Sequence, residues 1–217
     1  RCTMVGARVF NAPSTPGTMA STIGRGVRWI KASVQGFDPV AQLVMLEDGR
    51  AVSYEQLVVC PGLKLDWNAI EGLSETLGRN GVTSNYRYDL APYTWELVKN
   101  LKQGRALFTQ PPMPIKCAGA PQKALYLSCD HWLRHGHLGA IKASFFNAGA
   151  VLFGVADYVP ALMSYIDKYS VDLNYAQRLV AVDGPGKRAT FVRSLPDGST
   201  QTQVEPFDLL HVVAPQV

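Results

Sequence analysis

The feature that most constrains the fold of this chain is an alternation of strand-like and helix-like segments in its second half. Three short runs with strand character, at 105–110, 141–147 and 171–175, alternate with two helical patterns at 120–135 and 156–169. Parallel strands need a long crossover connection, and a helix between successive strands is the usual one. The order therefore predicts an α/β fold with a parallel sheet and crossover helices.

β-Rich sequence follows this core. The runs at 179–183, 189–194 and 201–204 predict a β-meander whose turn is Pro196-Asp197-Gly198, and 209–213 predicts one more strand. A meander of this kind is a typical insertion of flavoproteins with two dinucleotide-binding domains.

The sequence in front of the core is also β-rich, and its opening residues, 1–26, are predicted to be irregular. Glu47-Asp48-Gly49 is a strong hairpin signal, and an apolar run ending at Pro61 suits a buried strand. The predicted strands are 27–34, 42–46, 50–53 and 56–60, and a helix is predicted at 92–102. We therefore divide the chain near residue 80, into an incomplete β-rich portion of a first domain (1–80) and a second α/β domain (81–217).

Composition limits the class of function. The net charge is only +4, and the 21 Lys and Arg residues are scattered along the chain, whereas nucleic-acid binding concentrates them on one face. A weak attraction to anionic membrane surfaces is compatible with this charge. No apolar run reaches the roughly 20 residues that span a bilayer, and the first ten residues lack the features of a signal peptide. The chain begins at Arg1 rather than Met, which predicts an internal section of a longer protein.

Cysteine and histidine spacing does not predict a metal site. No two of the four cysteines form a CxxC pair, and Trp132 stands where a zincin helix carries its glutamate. We expect the histidines near one helix end to be surface or capping residues, and the thiols to be reduced, because a mixed α/β chain of this size rarely needs disulfides. These residues are Cys2, Cys60, Cys117, Cys129, His131, His135 and His137.

The connection after the first core strand lacks a dinucleotide-binding glycine loop. An NAD-binding domain places G-x-G-x-x-G there, so that the pyrophosphate can approach a helix N-terminus. This chain has Gln-Pro-Pro-Met-Pro-Ile-Lys-Cys-Ala-Gly-Ala-Pro at 110–121 instead, with Gly119 as its one glycine. We predict that this domain does not use NAD(P)H.

Cys117 stands in place of that loop, between Lys116 and the start of a predicted helix. A helix N-terminus and a neighbouring ammonium group both favour a thiolate over a thiol, which is the nucleophilic form. A buried structural cysteine is the alternative, and spacing alone leaves both open.

The segment around Cys117 closely resembles the cysteine motif of the sulfide:quinone oxidoreductases of mitochondrial and bacterial type. That family lies within the FAD-dependent pyridine nucleotide-disulfide oxidoreductase-like superfamily. The motif is Pro-Ile-Lys-Cys-Ala-Gly-Ala-Pro-Gln-Lys-Ala-Leu-Tyr-Leu-Ser at 114–128, and nearly the whole chain continues the likeness in the same order. The further segments are Gly-Val-Arg-Trp-Ile-Lys-Ala at 26–32, Ser-Asn-Tyr at 84–86, Thr-Trp at 94–95, Leu-Phe-Gly-Val at 152–155 and Leu-Leu-His-Val at 209–212.

The resemblance implies two Rossmann-like domains with FAD bound by the first. It also implies that the FAD-binding glycine loop, the second redox cysteine and the apolar part that meets membrane and quinone lie outside this chain. FAD then belongs to the complete protein, and we expect this piece alone not to retain it and to be inactive.

The implied activity is sulfide oxidation. In such enzymes sulfide attacks a sulfur bridge between two cysteines, and two electrons pass through FAD to quinone. Cys117 matches the cysteine on the flavin side. Lys116 either supports its thiolate or is a solvated surface residue.

The resemblance also implies cofactor contacts. Cys60-Pro61-Gly62 stands where related flavoproteins carry Ala-Thr-Gly beside FAD, which predicts that Cys60 packs near the cofactor. Val34 is expected near the adenine, and Gly119 is the glycine that remains in the turn before the helix. We interpret the other two cysteines as incidental.

The implied partners are sulfide or another small thiol, a quinone, and a membrane surface met by parts outside this chain, with no nucleic acid. The implied location is cytoplasmic or peripheral to an inner membrane. Two alternatives remain: an NADH:quinone dehydrogenase of the same fold, and a flavoprotein-like interaction domain without catalysis.

Overall fold

A computed structural model describes residues 2–14, 17–195 and 197–217. The chain separates into two compact units. The large unit comprises Arg1–Thr15 and Leu63–Val217, and the small unit comprises Pro16–Gly62. The predicted domain boundary near residue 80 stays a prediction.

The described residues form short and long helices in chain order. They are α1 (Cys2–Gly6), α2 (Met19–Thr22), α3 (Leu73–Thr76), α4 (Ala91–Asn100), α5 (Gly119–Arg134) and α6 (Val159–Lys168). Single 3-10 turns are Ala12–Ser14, Trp67–Ala69, Tyr88–Leu90, Leu138–Ala140 and Ala156–Tyr158.

The strands belong to three sheets. They are β1 (Val34–Asp38), β2 (Leu43–Leu46), β3 (Ala51–Ser53), β4 (Val82–Thr83), β5 (Gly104–Gln110), β6 (Ile141–Asn147), β7 (Asp172–Tyr175), β8 (Gln177–Asp183), β9 (Arg188–Ser194), β10 (Thr200–Pro206) and β11 (Leu209–His211).

The centre of the large unit is a five-stranded parallel sheet in the order β4-β11-β5-β6-β7. Helix α5 connects β5 to β6, and α6 connects β6 to β7. The predicted α/β class, with a Rossmann-like parallel sheet and crossover helices, is confirmed. Because all five strands are parallel, their carboxyl ends meet at one edge, where open α/β sheets bind ligands.

Successive residues of the sheet point to opposite faces, so each face has its own core. Phe145 packs with α4, α5 and α6, while Phe146 packs with the antiparallel meander β8–β10. Phe146 stacks on Phe191 of β9 with ring centroids 3.9 Å apart. On the helical face Trp132 is fully buried, and its indole N–H donates to the Val98 carbonyl at 2.8 Å. The predicted meander is therefore confirmed, and in the structure it covers the second face of the sheet.

The turn between β9 and β10 was predicted at Pro196-Asp197-Gly198. Pro196 lies outside the described residues. Asp197 Oδ1 accepts a hydrogen bond from the Ser199 amide at 2.9 Å, and Leu195 N–H donates to the Ser199 carbonyl at 2.9 Å.

The small unit is an antiparallel three-stranded sheet in the order β1-β2-β3. The turn between β2 and β3 contains Gly49, whose φ of 81° is the left-handed conformation that glycine tolerates. The predicted hairpin and its Asp-Gly turn are confirmed.

Two strand predictions in the small unit are wrong. The strand predicted at 27–34 forms only from Val34 onward, as β1. Residues 56–60 are all described and form no strand, and Val58 is 86% exposed. The β-forming side chains of both segments find no partner strand there, and propensity alone does not build a sheet.

Among the described residues, no helix is both long and apolar enough to cross a bilayer.

Candidate active site

Cys117 lies in the loop between β5 and α5, at the carboxyl edge of the parallel sheet. It is exposed, and its φ of 66° is in the left-handed region that a non-glycine residue rarely adopts. Its carbonyl accepts the Ala120 amide at 2.9 Å. The loop therefore presents the thiol to solvent immediately before the first turn of a 16-residue helix.

Two clefts meet at Cys117. One, of about 380 Å³, lies between the start of α1, Tyr86 and the start of α5, and Cys2, Lys116 and Lys123 also line it. The other, of about 410 Å³, lies between α5 and the segment that leads into α6. Its walls are mostly apolar and include Tyr126, Phe153, Tyr158 and Leu162. We name them the polar cleft and the apolar cleft.

Two side chains hold the backbone of the Cys117 loop. The Tyr86 hydroxyl donates to the carbonyls of Lys116 and Cys117, with oxygen–oxygen distances of 2.7 and 3.1 Å. The Lys116 amide donates to Gln216 Oε1 at 2.5 Å. Tyr86 follows β4 and Gln216 follows β11, and these strands are neighbours in the sheet. The loop is thus fixed to two other strand ends at the same edge.

Burial raises the pKa of Tyr86 well above its usual range, and the nearby Cys117 adds to that rise. The Gln216 amide, beside the hydroxyl, opposes it. Gln216 Nε2 nevertheless makes no hydrogen bond of regular geometry to any described residue. With its pKa raised by burial, the Tyr86 hydroxyl remains a protonated donor across the neutral pH range.

A buried histidine supports the segment that carries Tyr86. His211 Nε2 accepts the Asn85 amide at 3.0 Å, and the imidazole stacks on Phe108 with centroids 5.8 Å apart. His211 Nδ1 and Asn85 Oδ1 have no hydrogen-bond partner among the described residues. Burial lowers the pKa of His211 to about 4, so that the imidazole is neutral and can accept this bond.

The predicted catalytic residues Cys117 and Lys116 therefore lie together on the polar cleft. Both are exposed, as is Lys123, which is one helical turn along α5 from the predicted cofactor residue Gly119. Gly119 lines the apolar cleft beside Cys117. These four residues belong to one sequence motif, and in the structure they line the two clefts that meet at Cys117.

The other predicted cofactor residues lie in the small unit. Val34, Cys60 and Pro61 line an open cleft of about 250 Å³, and the remaining walls are apolar side chains such as Phe37 and Leu57. Cys60 is exposed. Gly62 adopts a φ of 78°, and nothing lies within 4 Å of the position where a Cβ would stand.

The histidines near the end of α5 contact one another. The rings of His131 and His135 are 4.1 Å apart, and Trp95 meets His131 edge-on at 4.9 Å. Within the described ranges, no cluster of three or more His, Cys, Asp or Glu side chains is arranged to hold a metal ion.

Sequence reasoning missed three parts of this site. Cys2 was interpreted as incidental, yet it lines the same cleft as Cys117. Tyr86 belongs to a segment that resembled the family, but its contacts to the loop span 30 and 31 residues of sequence. Gln216 is 100 residues from Lys116 and carried no signal.

Comparison with known proteins relates this geometry to a family. No family model matches the chain. The chain is 39% identical over 214 residues to the mitochondrial sulfide:quinone oxidoreductase of Dictyostelium discoideum, covering 98% of this chain and 46% of that protein. It is 34% identical over 213 residues to the Mus musculus protein of the same name, with 98% and 47% covered.

The chain is a relative of the sulfide:quinone oxidoreductases. The predicted resemblance is thereby confirmed, and the relatives are named as oxidoreductases. The chain spans about half the length of the curated relatives it matches.

Solved structures share the fold of this sulfide:quinone oxidoreductase relative. The enzyme of that name from Aquifex aeolicus superposes with a TM-score of 0.61 at 18% identity, covering 85% of this chain and 42% of the other. A chain in the mitochondrial ATP synthase of Tetrahymena thermophila superposes with a TM-score of 0.81 at 19% identity, covering 100% and 54%.

Proposed function

We propose that this chain forms part of an FAD-dependent enzyme that oxidises sulfide and transfers the electrons to quinone, with Cys117 as a redox cysteine. The observation that carries the proposal is the Cys117 loop. An exposed thiol stands at the carboxyl edge of a parallel sheet, between two clefts, within the segment that resembles the cysteine motif of sulfide:quinone oxidoreductases.

The charge of the polar cleft suits a small anionic substrate. Lys116 and Lys123 both line it and are exposed, and Cys117 lies between them in sequence. Positive charge on the wall of a cleft raises the local concentration of anions and speeds their approach. Hydrosulfide is such an anion. Because the Cys117 thiol is exposed, hydrosulfide can reach its sulfur atom.

The fixed backbone of the loop adds to this role. Two strand ends hold the carbonyl groups of Lys116 and Cys117 and the amide of Lys116. A redox cysteine must present its sulfur to two partners in turn, and a loop anchored on neighbouring elements keeps the sulfur in one position.

The residues of the small unit fit a flavin nucleotide. Val34, Cys60 and Pro61 line an open apolar cleft, and the flat faces of an adenine or flavin ring favour apolar walls. Gly62 leaves clear space where any other residue would carry a side chain. We propose that these residues of the small unit contact the cofactor. For Gly119, in the large unit, a cofactor contact stays a prediction. When bound, FAD would supply a two-electron acceptor that passes electrons to quinone.

The connection from β5 to α5 disfavours the NADH:quinone alternative. It contains Pro111, Pro112 and Pro114, and proline has no amide hydrogen to donate to a phosphate. The glycines that let a pyrophosphate approach a helix N-terminus are missing from this connection.

A second candidate is a domain without catalysis within a larger assembly. The observation that supports this candidate is a likeness of fold, at a TM-score of 0.81, to a chain of the Tetrahymena thermophila ATP synthase structure. This candidate predicts a Cys117 that is no more reactive than other exposed thiols and a protein that binds no flavin.

We further propose that the complete protein works at the surface of a mitochondrial membrane or its bacterial equivalent. The curated relatives are named as mitochondrial, and a quinone acceptor dissolves in the membrane.

The test is sulfide-dependent quinone reduction by the longest native protein that contains this chain, loaded with FAD. Cys117→Ser is expected to lower the rate by roughly three orders of magnitude or more, because it removes the nucleophile. Cys129→Ala is the matched control, since it removes a buried thiol from α5 that lines neither cleft.

Each other outcome corrects one part of the proposal. A parent protein without sulfide activity removes sulfide as the substrate. Activity that survives Cys117→Ser assigns the redox role to another cysteine. Absence of bound flavin together with an unreactive Cys117 favours the domain without catalysis.

A further inference from the structure

The side chains of the Cys117 loop are mostly exposed, although Ile115 is buried. Met113 is 75% exposed, and Pro114, Lys116 and Cys117 are exposed as well. Cys117 also adopts a left-handed backbone conformation, which is unfavourable for a residue with a Cβ. Contacts from elsewhere must stabilise this conformation, because an isolated loop would relax from it.

Among the described residues, one pair of side chains supplies three hydrogen bonds to the backbone of the loop. The Tyr86 hydroxyl lies 2.7 Å from the Lys116 carbonyl oxygen and 3.1 Å from that of Cys117. Gln216, which is 4% exposed, accepts the Lys116 amide at 2.5 Å. The two side chains thus hydrogen-bond to consecutive peptide groups of the loop. Tyr86 donates to two carbonyl oxygens, and Gln216 accepts from one amide.

We infer that Tyr86 and Gln216 are positioning residues that hold Cys117 in the conformation from which it reacts. The inference rests on the proposed function of Cys117 as a redox cysteine. Neither side chain is expected to exchange electrons or protons with substrate; each acts through the backbone of the loop.

The fold explains why these two residues reach the loop. Tyr86 follows β4 and Gln216 follows β11, and β11 lies between β4 and β5 in the sheet. The loop that carries Cys117 follows β5. The carboxyl ends of β4, β11 and β5 therefore lie side by side. Side chains that follow the first two strands contact the loop that follows β5. His211 at the end of β11 adds a bond to the Asn85 amide next to Tyr86.

The experiment compares Tyr86→Phe with Tyr165→Phe in the longest native protein that contains this chain. Both variants remove one hydroxyl from a tyrosine. Tyr165 lies on α6 and, within the described residues, lines neither cleft and makes no hydrogen bond to the loop. Gln216→Leu tests the hydrogen bond that the Lys116 amide donates to Gln216.

Two measurements are made on folded protein. The first is the alkylation rate of Cys117, resolved from the other cysteines by peptide mass spectrometry. The second is the rate of sulfide-dependent quinone reduction, expressed per bound flavin, with kcat and KM for sulfide determined separately.

We expect Tyr86→Phe to change the Cys117 alkylation rate at least threefold while Cys2 and Cys60 keep theirs. We expect kcat to fall about tenfold with little change in KM for sulfide, since the substrate path is intact. Gln216→Leu should act in the same direction and Tyr165→Phe should act as wild type. A purely structural role would lower the melting temperature without moving either rate.

Wild-type rates in folded Tyr86→Phe would overturn the inference. If that variant does not fold, Gln216→Leu decides in its place by the same two readouts. If the parent protein does not oxidise sulfide, the proposed function fails, while the alkylation rates still decide whether Tyr86 and Gln216 control Cys117.

Discussion

His211 shows what a single buried residue contributes at the edge of the sheet. It is fully buried on β11, and its Nε2 accepts the Asn85 amide at 3.0 Å. The bond requires a neutral ring, since a protonated imidazole has no acceptor nitrogen. The segment that leads to Tyr86 therefore depends on the protonation state of a group far from solvent.

Stability should fall as this histidine becomes protonated. Burial lowers the pKa of His211 from 6.5 to about 4 in the folded protein. Between these values the unfolded chain binds the proton and the folded chain does not, so the free energy of unfolding rises with pH. The contribution is fully present above pH 6.5 and is lost as pH falls toward 4, by about 3 kcal/mol in total. Urea unfolding at pH 4.5 and pH 7 measures the difference.

His211→Gln is the control for this prediction. Glutamine can accept the Asn85 amide with its side-chain oxygen, and it does not titrate. Its pH dependence should be weaker than that of wild type between pH 4.5 and 7. An equal dependence in both proteins would assign the effect to other groups, among them His131, whose pKa burial also lowers.

Also at the scale of single residues, the sequence predicted the cysteine motif of the candidate site but not the side chains that hold its backbone. Cys117, Lys116 and Gly119 lie within four residues, and one motif contains all of them. Tyr86 and Gln216 reach Lys116 from 30 and 100 residues away. Such contacts arise only from the strand order, which a single sequence does not reveal.

Among the elements, the connection between β10 and β11 holds the start of β5 in place by two hydrogen bonds. The Asp208 amide donates to the Arg105 carbonyl, and Asp208 Oδ2 accepts the Arg105 amide, both at 2.9 Å. Gly104 precedes this pair with a φ of 115°, and a Cβ at that position would overlap the Asp208 carboxylate. The first residue of β5 must therefore be glycine for two separate reasons.

Gly104→Ala is expected to destabilise the large unit by about 2–4 kcal/mol, from backbone strain together with the clash at Asp208. Gly136→Ala is the matched control, because its φ of 72° is also positive but nothing lies within 4 Å of its Cβ position. Strain alone should cost it about 1–2 kcal/mol. Thermal and urea unfolding of the two variants give the difference, and equal losses would show that the Asp208 contact has no cost.

Prediction of the elements succeeded where pattern and packing agree. All strands of the parallel sheet except the two-residue β4 were predicted near their observed positions. The runs of β5, β6 and β11 are largely buried, whereas the edge strand β7 is only partly buried. It failed at 27–34 and 56–60, where β-forming residues stay exposed. Val58 and Val59 are 86% and 51% exposed, and an apolar run does not show by itself whether anything covers it.

At the scale of the whole molecule, the two units carry different parts of the proposed chemistry. The large unit holds Cys117 and its two clefts, and the small unit holds the cleft lined by Val34, Cys60 and Pro61. If the small unit contacts the cofactor, then cofactor binding and thiol reactivity can be changed independently. Substitutions in one unit should leave the property of the other intact.

Val34→Asp tests this separation in the longest native protein that contains the chain. Val34 is 50% exposed on the cleft, and a carboxylate there would have to be desolvated when a ring packs against it. We expect the affinity for FAD to fall at least tenfold, as measured by flavin titration of the apoprotein, with no change in the Cys117 alkylation rate. Val40→Asp, at a position that is 95% exposed and off the cleft, is the matched control. Equal FAD affinity in the two variants would remove the small-unit cleft from the proposed cofactor site. A loss of Cys117 reactivity in Val34→Asp would instead show that the two units do not act independently.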